Sequence, residues 1–162
     1  MIILEAVPDQ LSAESVELQA AILNSQPAFN LIVQHKDFLT PEEIREENKQ
    51  NLEEMGEKML LIKENGRHIG IITYLPSHPG DKHSWIGLFI LHHGRAGQGI
   101  GSIALNALER RLRQENATQV RLAVQIENLI GAAFWQKNGY VIIKSTKDQR
   151  GNEVDVYEKL LL

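Results

Sequence analysis

Cysteine is absent from the 162 residues, which excludes disulfides, thiolate-bound metal and a cysteine nucleophile. A surplus of positive charge is missing too: 17 Lys and Arg stand against 21 Asp and Glu, for a formal net charge of −4. General nucleic-acid binding needs a basic face, so no nucleic-acid partner is expected. No apolar run approaches the ~20 residues that cross a bilayer. The opening MIILEAVPDQ lacks the basic segment and long apolar core of a secretory leader. No internal repeat, low-complexity tract or linker interrupts the chain. These absences predict a cytoplasmic protein without a membrane partner, folded as one domain over residues 1–162. The composition, 43% hydrophobic and 23% charged, suits that expectation. A chain of this length buries roughly 68–70% of its unfolded surface.

Residues 1–7 are apolar, end before Pro8 and read as a first strand. Ser12 is placed to cap a helix with Val16, Ala20 and Leu23 on one face. Residues 24–38 carry Pro27, Phe29 and Phe38 without a clear period and read as a loop or broken helix. Thr40-Pro41-Glu42-Glu43 is a helix start: Thr40 at the N-cap, Pro41 at N1, and Glu43 reaching back in a capping box. Gly56 suits the C-terminal cap of that helix. Only Ile44, Leu52 and Met55 form its apolar register, so it is expected to lie over the body. Residues 59–63 and 68–75 are β-rich runs joined through Asn65-Gly66, the signal of a type I′ hairpin. A polar loop over 76–82 follows. Beyond the central stretch come a strand at 120–126, a helix at 128–137 stopped by Gly139, and two strands at 140–145 and 154–160.

The stretch around which these elements are organised is Trp85 to Leu112. An apolar strand over 86–91 turns through the glycine-rich segment 94–101. It continues as an amphipathic helix carrying Ile100, Ile103, Ala104, Ala107, Leu108 and Leu112. Gly97, Gly99 and Gly101 let backbone approach a ligand, and the free N–H groups of the first helical turn point at it. Such a site suits a phosphate or pyrophosphate. A Walker loop requires lysine before its Ser or Thr, and Gly101-Ser102 has none. A dinucleotide fingerprint is G-x-G-x-x-G after the first strand, whereas here G-x-G-x-G follows the fourth.

Downstream, Asn128-x-x-Gly131-x-x-Phe134-Trp135-x-Lys137-x-Gly139-Tyr140 completes a two-motif pattern with Gln98-Gly99-Ile100-Gly101-Ser102. This pattern resembles the GNAT superfamily of acyl-CoA-dependent N-acyltransferases, and the element order is similar over nearly the whole chain. The resemblance implies a single α/β (α+β) domain. Its mixed, mostly antiparallel twisted sheet would have a V-shaped splay between strands 4 and 5 and helices on both faces. It implies acetyl-CoA as co-substrate and no metal. The pyrophosphate would lie on Ala96, Gly97, Gln98, Gly99, Ile100, Gly101 and Ser102, and the pantetheine along Phe89, Ile90 and Leu91. A backbone N–H at Leu91 would polarise the thioester carbonyl. Asn128 would bond the cofactor or brace the splay, with Gly131, Phe134, Trp135 and Lys137 completing the cofactor side. The acceptor would be a small-molecule amine or a protein amino group, attacking directly in a ternary complex. A homodimer is a further expectation, since many members pair.

Two positions depart from the family pattern. Ala96 stands where Arg or Gln is usual, leaving Arg95 next door as a possible substitute. Trp135 stands where a tyrosine often protonates the leaving thiolate, and an indole N–H is no such acid. The fourth strand also lacks the glutamate that many members use as base. Candidates for acid and base are therefore the imidazoles of His92 and His93, Glu127 beside Asn128, and the Tyr74 phenol. Against these stand a histidine pair in a surface turn, a solvated carboxylate and a core tyrosine. Phe29, His35 and Phe38 either line the acceptor or fill the core. Glu42, Glu43, Glu46 and Glu47 are a solvated face that also favours a cationic amine. His78 and His83 lack a third ligand for a metal. A non-catalytic acyl-CoA sensor of the same fold is the alternative.

Overall fold

The computed structural model describes all residues, Met1–Leu162. The chain runs β1 (Ile2–Ala6), α1 (Ala13–Leu23), α2 (Pro27–Gln34), α3 (Pro41–Met55), β2 (Lys58–Glu64), β3 (Arg67–Leu75) and β4 (Ser84–Leu91). It continues through α4 (Ile100–Gln114), β5 (Gln119–Gln125), α5 (Leu129–Lys137), β6 (Val141–Lys147) and β7 (Glu153–Leu160).

Local chemistry sets most of these boundaries. The Ser12 hydroxyl accepts the Ser15 N–H and starts α1. Thr40 and Glu43 close the capping box of α3, and Gly56 ends that helix in the left-handed region at φ 67°. Asn65 and Gly66 both take positive φ, 49° and 83°, as a type I′ turn between β2 and β3 demands. Residues 24–38 are more ordered than a loop. Pro27 at N1 opens α2, and His35 ends it with φ 63°. The eight-residue helix is too short for its apolar period to declare itself in the sequence.

The strands form one sheet in the order β1-β2-β3-β4-β5-β7-β6. Every pairing is antiparallel except β4 with β5. That parallel pairing holds at two positions only, Ser84 with Val120 and Trp85 with Arg121. Past Trp85 the two strands part, and their C-terminal ends form the lips of a V.

Helices cover both faces. On one, Ala104, Leu105, Leu108 and Leu112 of α4 and Trp135 of α5 bury Leu60, Ile72, Tyr74, Leu122 and Tyr157. On the other, Val16, Ile22 and Leu23 of α1 and Ile44 of α3 bury Met59, Leu61, Ile71 and Ile90. One expected core position fails: Ile103 is 55% exposed. At ~100° per residue it lies on the far side of α4 from Leu105, which takes the buried place.

Candidate active site

The end of β4 leads directly into the glycine segment. After Leu91 a single tight turn, His93–Arg95, precedes Gly97 at φ 75° and Gly99 at φ 80°. Gly99 is the N-cap of α4 and contributes no side chain. The first intrahelical acceptor in this turn is the Gly99 carbonyl, bonded by Ile103 N–H at 3.4 Å. The N–H groups of Ile100, Gly101 and Ser102 precede it and lack a helical acceptor. No acidic residue stands in the first turn to compete with an anion. A Cβ built on Gly97 or Gly99 would meet nothing within 4 Å, so open space lies beside the backbone. At Gly101 a Cβ would come within 3.0 Å of the Phe134 ring, so this glycine serves the close packing of α4 on α5. Such a cradle fits a pyrophosphate. Arg95 does not stand free to replace the arginine or glutamine missing at Ala96, because its guanidinium pairs with Glu64 at 2.7 Å.

The strand beside the cradle offers backbone. His92 N–H bonds back to Ile69 O at 2.7 Å, in register with the β3–β4 ladder. Alternation along an antiparallel strand then turns the N–H groups of Phe89 and Leu91 toward the open edge. The Leu91 carbonyl takes a hydrogen bond from Gln26 Nε2 at 2.9 Å, tying this lip to the head of α2. On the opposite lip, Asn128 caps α5 by accepting the Gly131 N–H at 2.9 Å. A Cβ at Gly131 would lie 2.5 Å from Asn128 Nδ2, so glycine there leaves room for the cap.

An aromatic floor joins the lips. Phe89 on β4 stacks near Phe134 and Trp135 on α5, with centroids 5.6 and 5.5 Å away, and Trp135 meets Tyr140 edge-on at 5.0 Å. Trp135 is 7% exposed and belongs to the core. Lys137 ends α5 on the surface.

The four acid–base candidates are not brought together. His92 and His93 are exposed at the tip of β4; the His92 ring accepts the Gly94 N–H, and the His93 N–H is held by Ser25 Oγ. Glu127 is exposed on the other lip. Tyr74 is buried, and its hydroxyl donates to Glu115, the residue just past the C-terminus of α4 and so the wrong end of the helix. Burial pushes its phenol further up. The reason is alternation on β3: Tyr74 faces α4, while its neighbour Thr73 faces α1 and α3. Phe29 packs against the α1–α3 core, whereas Phe38 and His35 are exposed. His78 caps its own loop by accepting the Gly80 N–H.

A carboxylate that the sequence did not single out lies near the apex of the V. Glu57, at the head of β2, reaches over β3 to β4 on the α1–α3 face. Its Oε2 lies 3.2 Å from where a Cβ on Gly87 would stand, and Thr73 Oγ1 lies 2.8 Å from that point. Burial pushes its carboxyl up to about 7, against hydrogen bonds from Thr73 and Asn51 that pull it down. The nearby charge of Glu47 raises it further. The same face is strapped by the β6–β7 turn. Arg150 pairs with Glu47 of α3, and Asn152 bonds Val33 O in the last turn of α2 and the ring of His35 just past it.

A strand that parts from its parallel neighbour beside a helix with a free, glycine-led N-terminus is the architecture of a coenzyme A-dependent transferase. The acetyltransferase (GNAT) family model matches residues 24–140, and the chain belongs to that family. Solved structures agree on the fold. An acetyltransferase from Thermus thermophilus superposes with a TM-score of 0.79 at 18% identity, covering 99% of this chain and 97% of its own. An acetyltransferase from Salmonella typhimurium that modifies the N-terminal serine of ribosomal protein L7/L12 gives 0.77 at 20% identity, over 98% and 94%. Spermidine N-acetyltransferase from Vibrio cholerae, bound to CoA and spermine, gives 0.75 at 14% identity, over 99% and 95%. A comparison with curated protein sequences returns no match.

Proposed function

We propose that the protein is a cytoplasmic N-acetyltransferase that moves an acetyl group from acetyl-CoA to a primary amine by direct attack in a ternary complex. The observation that carries this is the β4–β5 splay opening onto the unpaired N-terminus of α4. The N–H groups of Ile100, Gly101 and Ser102 hold the pyrophosphate in the field of the helix. The open edge of β4 supplies the Phe89 and Leu91 N–H groups, one for the pantetheine amide and one for the thioester carbonyl oxygen. With no cysteine in the chain, a cysteine-bound acyl-enzyme is ruled out. The solved relatives act on a polyamine and on a protein N-terminus, so small amines and protein amino groups are both suitable acceptors to test.

The alternative, a non-catalytic acyl-CoA sensor, draws on Trp135 in place of the usual tyrosine and on the absence of a carboxylate along β4. Thiol release from acetyl-CoA across an amine panel decides between them. Amine-dependent release is expected; specific CoA binding with no release on any amine favours the sensor. Replacing Gly99→Asp places a carboxylate where the anion binds and puts a side chain at φ 80°. It should abolish CoA binding in calorimetry while the circular dichroism of the fold survives. Undiminished affinity would overturn the pyrophosphate site.

A further inference from the structure

We propose that the Glu57 carboxylate is the general base of this acetyl transfer, taking the proton from the acceptor amine directly or through one water. The assignment rests on the acetyltransferase function proposed above.

Its basis is a row of residues across three strands. Met59 and Leu61 of β2 turn into the α1–α3 core, and Glu57 is the polar head of the same row. Thr73 is the next member, on β3, and Gly87 the last, on β4. Gly87 is not an ordinary strand residue. Tyr74 pairs with Ile86 and Thr73 with Leu88, which leaves Gly87 as a one-residue bulge between them. It is also two residues past Trp85, the last residue of β4 that pairs with β5. The bulge therefore sits just past the apex of the V, where β4 has lost its neighbour. Gly87 is exposed, while Ile86 before it is buried and Leu88 after it half-buried. Any other residue would put a Cβ against Thr73 Oγ1 and the Glu57 carboxylate. The missing side chain leaves a window between the carboxylate and the cleft.

This geometry resolves the absence of a carboxylate from β4. The strand contributes the opening, and Glu57, just before β2, presents its carboxylate through it. The groups facing Glu57 suit a base. Thr73 and Asn51 hydrogen-bond the charged form, whereas burial and the charge of Glu47 favour the neutral one. Glu47 is itself held by Arg150 and by Gln34 at 3.0 Å, so its charge is partly answered from outside. The balance leaves Glu57 near neutrality, where a base is both present in its ionised form and strong enough to accept a proton.

An ammonium entering the cleft gives one proton to solvent and becomes a neutral amine. Its nitrogen then attacks the thioester carbonyl carbon: the C–N bond forms, and the C–S electron pair leaves with the CoA sulfur as thiolate. Glu57 takes the second N–H proton, and the thiolate is protonated from water. The products are the acetamide and the free thiol, and the base is restored when Glu57 releases its proton.

Glu57→Gln keeps the shape and removes the basicity. With wild type active on a chosen amine, this variant should lose about 10²- to 10⁴-fold in kcat/KM. The Glu57 inflection on the acidic limb of its pH–rate profile should vanish, leaving that of the amine itself, while CoA affinity in calorimetry stays unchanged. A variant with wild-type rate and profile overturns the assignment. Thr73→Val leaves the carboxylate in place but removes a hydrogen bond to its charged form. The acidic limb should then move to higher pH, a shift that a structural role for Glu57 does not produce; an unmoved limb overturns the assignment even where Glu57→Gln folds poorly. The two levels separate cleanly. If wild type releases no thiol with any amine, the acetyltransferase function fails; if only the variants behave like wild type, Glu57 fails and that function stands.

Discussion

At the scale of single residues, Glu57 shows what a functional carboxylate costs the fold. Its pKa of about 7 lies above the ordinary 4.5, so between those values the folded chain holds a proton that the unfolded chain has released. Stability then falls as pH rises from about 4.5 to about 7 and stays lowered above it. Glu57→Gln removes that penalty. Thermal melts should show the variant more stable than wild type at pH 8, by on the order of 1–3 kcal/mol, with the gain gone at pH 4. A variant equally stable at both pH values would contradict the raised pKa. The same residue marks the limit of what a sequence discloses. Gly97, Gly99 and Asn128 act through their own local backbone and were legible from their spacing. Glu57 acts through Thr73 and Gly87, sixteen and thirty residues away along the chain, and nothing in its neighbours announces that meeting. Tyr74 stayed open between acid and core residue for a related reason: a strand position alone does not say which face its side chain takes.

At the scale of elements, the caps and turns were readable because each is decided within a few residues. The Thr40–Glu43 box, the Asn65-Gly66 turn and the Gly56 stop all form as their chemistry dictates. The α4 helix was readable in extent but not in rotation. Its apolar residues cover more than one stripe, and only packing chooses between Leu105 and Ile103. Replacing Leu108→Ala, fully buried under the sheet, should cost about 2–5 kcal/mol in urea denaturation. Ile103→Ala should stay within about 0.5 kcal/mol. Comparable losses at the two sites would mean that α4 is rotated from the orientation described. The hairpin strap, with Arg150 on Glu47 and Asn152 on Val33, was invisible in the sequence. It depends on two segments more than a hundred residues apart meeting over one face.

At the scale of the whole molecule, the two antiparallel half-sheets, β1–β4 and β5–β7–β6, are joined within the sheet only through Ser84 and Trp85. In the proposed function a bound pantetheine would lie between the parted strands. Hydrogen exchange should therefore slow on CoA binding at Phe89, Leu91 and the first turn of α4, and remain unchanged in β2. Uniform protection across the sheet would indicate a different mode of binding. The base of the junction is firmly pinned. Asp81 receives hydrogen bonds from the Trp85 indole at 2.9 Å and from Arg121 at 3.2 Å, and Arg121 also pairs with Glu158 at 2.7 Å.

That two-residue junction would give the co-substrate of the proposed reaction a structural office. While bound, it would run along the open edge of β4 in the gap that the polypeptide leaves beside β5. Each turnover of the proposed reaction would then cover and uncover that edge. Departure of the thiol product would leave that edge open again, while Asp81 and Arg121 keep the closed end of the V in place.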